Sequence, residues 1–221
     1  MENLFNSIAP SYDRLNHLLS LGIDKIWRRK AVRFIKQHVD DNVLDIACGT
    51  ADSTLALAKA GISNISGCDI AEEMLKIGRQ KVSHLNISLI KANCEILPFN
   101  DNTFNAITIF YGFRNFQNRE QCLHEIFRVL KPHGTLFIIE LSEPKNKVIN
   151  FFYHPYFHHF LPWIGGMISK QKKAYQYLPT SVHNFPTPNK IKEILEASNF
   201  KNFIYKSFTF GICNVFCVEK P

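Results

Sequence analysis

The residues best able to do chemistry fall in one turn and at a few positions beyond it. DIACGTAD (45–52) places a lone glycine, Gly49, ahead of Thr50 and Asp52. A glycine lets the backbone approach a ligand closely, and Thr50 and Asp52 suit the cap or first turn of the helix that follows. A nicotinamide dinucleotide needs a G-x-G-x-x-G turn to seat its pyrophosphate, so a single glycine suits a cofactor without phosphates. Asp69 follows that turn by about 20 residues, the spacing at which a carboxylate accepts hydrogen bonds from a ribose diol. Asp69 therefore reads as a ligand for a ribose lacking a 2′-phosphate, or else as a plain loop cap; for Asp45, cofactor contact and a structural role stand level. Asn93 and the backbone of Cys94 are placed to read an adenine edge.

Arg114 and Asn115, in GFRN (112–115), come just past an apolar run and fall on the same rim as Asp69. A guanidinium there either stabilises an anion developing on a substrate or forms a salt bridge tying the strand end to the next helix. His154, His158 and His159 have metal-like spacing, but no carboxylate or cysteine accompanies them. They read as amphipathic pocket lining, with no metal.

Positioning these groups requires strands and helices in alternation. Apolar runs at 43–47, 62–70, 86–93, 104–112 and 133–141 read as strands, with helices at 53–61, 72–82 and 122–130 between them. Such alternation is the signature of a parallel, doubly wound sheet, which gathers ligands at the carboxyl ends of its strands. Residues 3–37 read as helical, with Pro10 marking an early break. A helix at 190–198 and two strands, 203–211 and 212–220, around Gly211 close the chain, the strands antiparallel. The stretch 142–187 is too long for a simple connection. Its centre, INFFYHPYFHHFLPWIGGMIS (149–169), is nearly long enough to span a membrane, yet holds three histidines, two prolines and the Gly165–Gly166 pair. A spanning helix tolerates these poorly, so it reads as an apolar cap over a pocket, with contact at the bilayer interface open.

At 221 residues with 46% hydrophobic content, the chain fits a single domain with a filled core. Its opening lacks the pattern of a signal peptide, so the expected location is the cytosol, with peripheral contact at the inner membrane face left open. The six cysteines, at 48, 68, 94, 122, 213 and 217, form no CxxC pair and read as free, mostly buried thiols. The net charge of +7 suits nucleic acid, an anionic membrane or an acidic ligand equally. Two basic groups contribute, Lys25, Arg28, Arg29, Lys30 and Arg33, and Lys170, Lys172 and Lys173; each is a solvated helix face or a membrane-facing one.

Longer motifs carry a resemblance. FNSIAPSYDRLNHLLSLGIDKIWRR at the start, ANCEILPFNDNTFNAITIFYGFRN (92–115), RVLKPHG (128–134) with Glu140, Leu141 and Ser142, and YQYLPTSVHNFP (175–186) together resemble the ubiquinone/menaquinone biosynthesis C-methyltransferase family over almost the whole chain. The resemblance implies an α/β, Rossmann-like class I methyltransferase with a seven-stranded, mostly parallel sheet and helices on both faces. It also implies a helical lid over 1–37, an apolar substrate-capping insertion over 142–187, and S-adenosylmethionine as methyl donor. The implied acceptor is a prenylated quinol, demethylmenaquinol first and a methoxylated benzoquinol as the alternative. Thr50, Asp69, Asn93 and Cys94 match cofactor positions, and Tyr12, Asp13 and Asn16 belong to the lid signature, where they either close over the ligands or cap and pack the helix. Ala51 stands where the family usually has glycine and Phe110 where it commonly has serine. A narrowed loop, a lost hydroxyl and weaker cofactor binding are the expectation.

Methylation of a quinol at carbon needs a ring made electron-rich by loss of a hydroxyl proton and held in line with the donor. Arg114 matches the family's functional arginine and is assigned the quinolate oxygen, with Asn115 orienting the ring or a water that takes the proton, and Asp69 sharing that water. Rival readings are a methyltransferase acting on RNA or another small molecule, and a cofactor-binding scaffold without catalysis. No stacking platform interleaved with arginine appears, so nucleic acid is not expected as a partner; a homodimer stays open.

Overall fold

Strand after strand in this chain alternates which face its side chains take, and both faces are apolar. In the computed structural model, which describes residues 1–144, 146–161 and 172–221, Leu44 and Ile46 of β1 (Asp41–Ile46), Ile107 and Ile109 of β4 (Phe104–Phe110), and Leu136 and Ile138 of β5 (Leu130–Leu141) share one face. They pack there against α5 (Arg119–Val129) through Leu123, Ile126 and Val129, and against α8 (Pro188–Ala197) through Ile191 and Leu195. Val43, Ala106, Phe137 and Ile139 take the other face, against Trp27, Ala31 and Ile35 of α2 (Ile23–Lys36) and Leu57 of α3 (Asp52–Lys59). Helices on both faces are what a parallel sheet requires.

With β2 (Ser63–Asp69), β3 (Ser88–Lys91), β6 (Lys201–Phe208) and β7 (Cys213–Glu219), the seven strands lie in the order β3-β2-β1-β4-β5-β7-β6. The β1–β2, β1–β4, β2–β3 and β4–β5 pairs are parallel, and β7 runs antiparallel between β5 and β6. The strand order reverses between β1 and β4, so their carboxyl ends open the crevice where ligands bind in such sheets.

The N-terminal region departs from the expected break at Pro10. Helix α1 (Glu2–Leu19) runs through that proline, and the chain turns at Leu21 and Gly22, both left-handed at φ 51° and 74°. Packing compensates the hydrogen bond that proline removes: Ile8, Ala9, Leu15 and Leu19 are buried against Ala71 and Met74, at the start of α4 (Glu72–Val82), and against Phe157, Leu161 and Val182 of the insertion. Among its described residues the insertion holds α6 (Lys147–Pro155), one π-helical turn (Tyr156–Phe160) and α7 (Lys172–His183). Gly165, Gly166 and Lys170, and the side chains of His159, Lys172 and Lys173, lie outside the described residues.

The expectation of six free thiols is corrected. Cys94 and Cys122 form a disulfide, with Cα atoms 5.2 Å apart, because the sheet brings the chain after β3 against the start of α5. Cys48, Cys68, Cys213 and Cys217 are free and buried.

Candidate functional site

At the carboxyl ends of β1 and β2 the chain makes a tight, left-handed detour. Ala47, Gly49 and Ala51 all have positive φ, from 55° to 63°. Alanine there costs about 1–2 kcal/mol per residue. Hydrogen bonds hold the turn: the Gly49 N–H donates to Asp69 Oδ2 and the Ala71 N–H to Asp69 Oδ1, each at 2.8 Å. Burial pushes the Asp69 carboxyl upward while those backbone donors pull it down. Ala51 is fully buried among Leu75, Val82 and Leu89 and lines neither cavity described below, so its methyl does not narrow the ligand space as expected.

Two cavities flank this turn. The smaller, about 240 Å³, is lined by Gly49, Asp69, Asn93, Cys94 and Asn115, with Glu2 and Glu95, and by no lysine or arginine among the described residues. The larger, about 340 Å³, is mostly apolar and is lined by Asp13, Asn16, Thr50 and Arg114, with Tyr153, Tyr156 and Phe157 of the insertion. Phe5, Tyr12, Ala47, Gly49, Phe110 and Tyr111 belong to both, so the cavities meet across them. Phe110 thus stands as a shared wall where a serine would present a hydroxyl.

Asp45 lines neither cavity. Its fully buried carboxylate accepts from Thr54 Oγ1 at 2.6 Å and Thr108 Oγ1 at 2.8 Å, and burial raises its pKa to about 6. It braces β1, β4 and α3 from behind the loop.

Helices α1 and α2 are fastened to the turn after β1 by charge. Thr50 Oγ1 donates to Asp13 Oδ1 at 2.5 Å, and Lys81 Nζ bridges Asp13 and Asp52, 2.6 Å from each. His17 adds contacts to Asp24 at 2.7 Å and Asp52 at 3.4 Å, while Arg28 Nε donates to Ser53 Oγ at 3.2 Å. His17, Asp24, Arg28 and Lys81 are functional candidates that spacing alone does not single out; Arg28 is visible in the sequence only as one of a basic group.

Arg114 is held from several sides. Its Nη1 donates to Glu140 Oε1 and to the Tyr111 carbonyl, each at 2.5 Å, its Nε donates to Ser181 Oγ at 3.3 Å, and its backbone N–H donates to Glu140 Oε2 at 3.0 Å. The ion pair joins the turn after β4 to the end of β5 rather than to the following helix. Asn115 Oδ1 accepts from the Tyr177 hydroxyl at 3.0 Å, which links the smaller cavity to a residue of the larger. Asp69 and Asn115, expected to share a water, both line the smaller cavity, while Arg114 lines the larger. The histidines are not without a carboxylate: Glu143 Oε1 is 2.9 Å from His158 Nε2 and 3.2 Å from His183 Nδ1, and the His154 and His158 rings stack at 4.3 Å. No group of three or more His, Cys, Asp or Glu among the described residues is arranged to hold a metal.

A cofactor with phosphates would find no lysine or arginine among the described residues of the smaller cavity's wall. A cationic sulfonium carried on an adenosine fits it, with Asp69 for a ribose and acidic groups around. The chain's likenesses agree in kind. The profile of the ubiE/COQ5 methyltransferase family matches residues 1–220. The ubiquinone/menaquinone biosynthesis C-methyltransferase UbiE of Geotalea daltonii is 42% identical, covering 100% of this chain and 96% of that one. The demethylmenaquinone methyltransferase of Bacteroides fragilis is 38% identical over 100% and 92%, and that of Thermus thermophilus 40% identical over 99% and 100%. Among solved structures, a SAM-dependent methyltransferase of Thermotoga maritima, described as a possible histamine N-methyltransferase, superposes with a TM-score of 0.73 at 16% identity over the whole of both chains, a likeness of fold alone.

Proposed function

The chain belongs to the ubiE/COQ5 methyltransferase family, and from that premise we propose that it methylates a ring carbon of a prenylated quinol, demethylmenaquinol first. It is an S-adenosylmethionine-dependent C-methyltransferase of quinone biosynthesis. The observation that carries the acceptor is the junction of two unlike cavities at Gly49, Phe110 and Tyr111, one with carboxylates and no lysine or arginine among the described residues of its wall, the other mostly apolar with Arg28 and Arg114 in its wall.

S-adenosylmethionine, when bound, supplies an electrophilic methyl on a sulfonium. Asp69 would accept the ribose hydroxyls while its other lone pairs hold the Gly49 and Ala71 N–H groups. Asn93 and the Cys94 backbone would take the adenine edge, and Gly49 and Thr50 the methionine end. Arg114 would donate to the quinol oxygen as it loses its proton. Tyr12, Asp13 and Asn16, carried on α1, would close over both ligands, and the insertion would cap the larger cavity and exclude water.

A prenyl tail outgrows about 340 Å³. Leu21 at the cavity is 78% exposed, and Phe210, Val148 and Phe151 are 74%, 68% and 74% exposed. These apolar side chains, with the exposed Lys25, Arg29 and Lys30 of α2, suit a lipid surface, where each methylene withdrawn from water gains about 0.8 kcal/mol. No helix among the described residues is long and apolar enough to cross a membrane. The deciding experiment is transfer of labelled methyl to a short-chain demethylmenaquinol, beside a methoxylated benzoquinol, under reducing conditions. Transfer to the naphthoquinol is expected. No transfer to either, with S-adenosylmethionine bound, would overturn the reading.

A further inference from the structure

Among the described residues, the larger cavity is lined by one polar group without a partner. The Tyr153 hydroxyl, on α6, is buried without a hydrogen-bond partner among the described residues, and the side chain lines the cavity. Its neighbours on that wall are committed elsewhere. Tyr177 donates to Asn115, the Tyr156 hydroxyl donates to the Leu19 carbonyl, and Arg114 is bonded to Glu140, Tyr111 and Ser181. A buried tyrosine hydroxyl ordinarily finds a partner, and one that does not has given up water with nothing in return. The ring is also fixed, stacked on Phe157 with centroids 4.8 Å apart and planes 20° apart. It is therefore not poised to swing its hydroxyl out to solvent.

We propose that Tyr153 binds the substrate directly, its hydroxyl hydrogen-bonding a ring oxygen of the quinol and thereby selecting which ring carbon faces the donor methyl. The inference rests on the quinol reading above and names a residue that reading does not use. Burial raises the phenol's pKa, with Arg114 acting in the opposite sense. The group is thus a neutral donor at ordinary pH, able to donate to a quinolate or to accept from a quinol hydroxyl. A quinol carries two para oxygens. With Arg114 in the same cavity serving one, a second fixed group at the other would leave the ring a single orientation instead of two related by a half-turn. A site built to hydrogen-bond an oxygen also discriminates against rings that lack it.

Tyr153→Phe deletes only the unpartnered oxygen. The variant should unfold at the same temperature as the parent or higher and bind S-adenosylmethionine equally, while kcat/KM for the short-chain quinol falls about 10- to 100-fold. Two prenylated monohydroxy analogues, each lacking a different ring oxygen, sharpen the test. On the analogue without the oxygen that Tyr153 contacts, parent and variant should perform alike; on the other the difference should persist. An active parent with an unaffected Tyr153→Phe variant overturns this inference alone. A variant that loses stability, or one impaired equally on both analogues, shows a structural role and also overturns it. A parent silent on every quinol overturns the quinol reading and this inference together.

Discussion

Replacing Arg114 separates a structural ion pair from a catalytic one. Arg114 and Glu140 are 7% and 0% exposed, and Glu140 also accepts the backbone N–H groups of Arg114 and Leu141 at 3.0 and 2.8 Å. In Arg114→Gln that carboxylate keeps the backbone donors but loses its counter-charge. Breaking a buried pair from one side costs about 3–5 kcal/mol, and the two remaining donors place the expectation near the lower figure. In a chain of this length each kcal/mol moves Tm by about 2–4 °C, so a fall of about 6–12 °C is expected. Glu140→Gln alone strands the guanidinium and should do the same. Combining the two leaves neutral amides facing each other, which should recover most of the lost stability. Activity should not follow. With the Arg114 guanidinium gone from the cavity wall, both Arg114→Gln and the double variant should lose about 10²–10³ in kcat on the quinol. Urea unfolding reads the first quantity, and labelled methyl transfer at saturating S-adenosylmethionine reads the second. A double variant that recovers both stability and kcat, to within about threefold of the parent, would refute the catalytic assignment and leave Arg114 a strut.

Asp45 makes a prediction about pH. Burial raises its carboxyl from 3.8 to about 6, so between these values the folded protein keeps a proton that the unfolded chain has released. Its contribution is full below about pH 4 and is lost as pH rises through about 6, a swing of about 3 kcal/mol. Asp45→Asn should flatten urea stability over that window and match or exceed the parent at pH 7; an unchanged slope would count against it. Gly78→Ala would set a Cβ 3.0 Å from Leu89 Cδ1, 3.1 Å from Ala51 Cβ and 3.3 Å from the Gly49 carbonyl. It should cost about 1–3 kcal/mol and weaken S-adenosylmethionine binding in calorimetric titration without raising KM for quinol; an unchanged affinity would show that the loop absorbs the methyl. Leu21→Asp combined with Phe210→Asp should abolish co-sedimentation with anionic vesicles while sparing transfer to a short-chain quinol, and persistent sedimentation would place the lipid-facing surface elsewhere.

The parts of the molecule legible in sequence are those whose partners are local or periodic. Runs such as Leu44–Ile46 and Ile107–Ile109 announce strands because a sheet covered on both faces needs apolar residues in both registers. Gly49, Asp69, Asn93 and Cys94 are legible because strand ends in such a sheet fall at one crevice. Pro10 misleads because a helix breaker acts against packing that the sequence does not display, whereas Leu21 and Gly22 turn the chain where no packing resists. The Cys94–Cys122 bond, the Lys81–Asp13 contact, the Arg114–Glu140 pair and the Tyr177–Asn115 bond join positions 28, 68, 26 and 62 residues apart. No spacing rule relates such positions; only the topology does. Tyr153 is hidden for a different reason, since its distinguishing feature is a missing partner rather than a motif.

The charges around the two cavities bear on how the proposed reaction is tuned. Joining a sulfonium methyl to a quinolate carbon annihilates charge, so an environment that stabilised both ions strongly would favour the ground state over the transition state. A bare arginine in the acceptor cavity would do that. Arg114 instead arrives already paired with Glu140, so its locality is close to neutral, and it offers the quinolate directed N–H groups rather than an uncompensated positive charge. The acidic lining of the other cavity can retain the cationic donor, while the apolar walls around Phe157 and Leu161 keep water from solvating the acceptor anion. On this argument Glu140 is a determinant of rate and not merely of folding. Glu140→Gln, assayed where the protein remains folded, should bind quinol more tightly and methylate it more slowly, lowering KM and kcat together. Unchanged kcat and KM would show that the pairing serves the fold alone, and a fall in kcat with KM unchanged or raised would refute ground-state stabilisation as the cause.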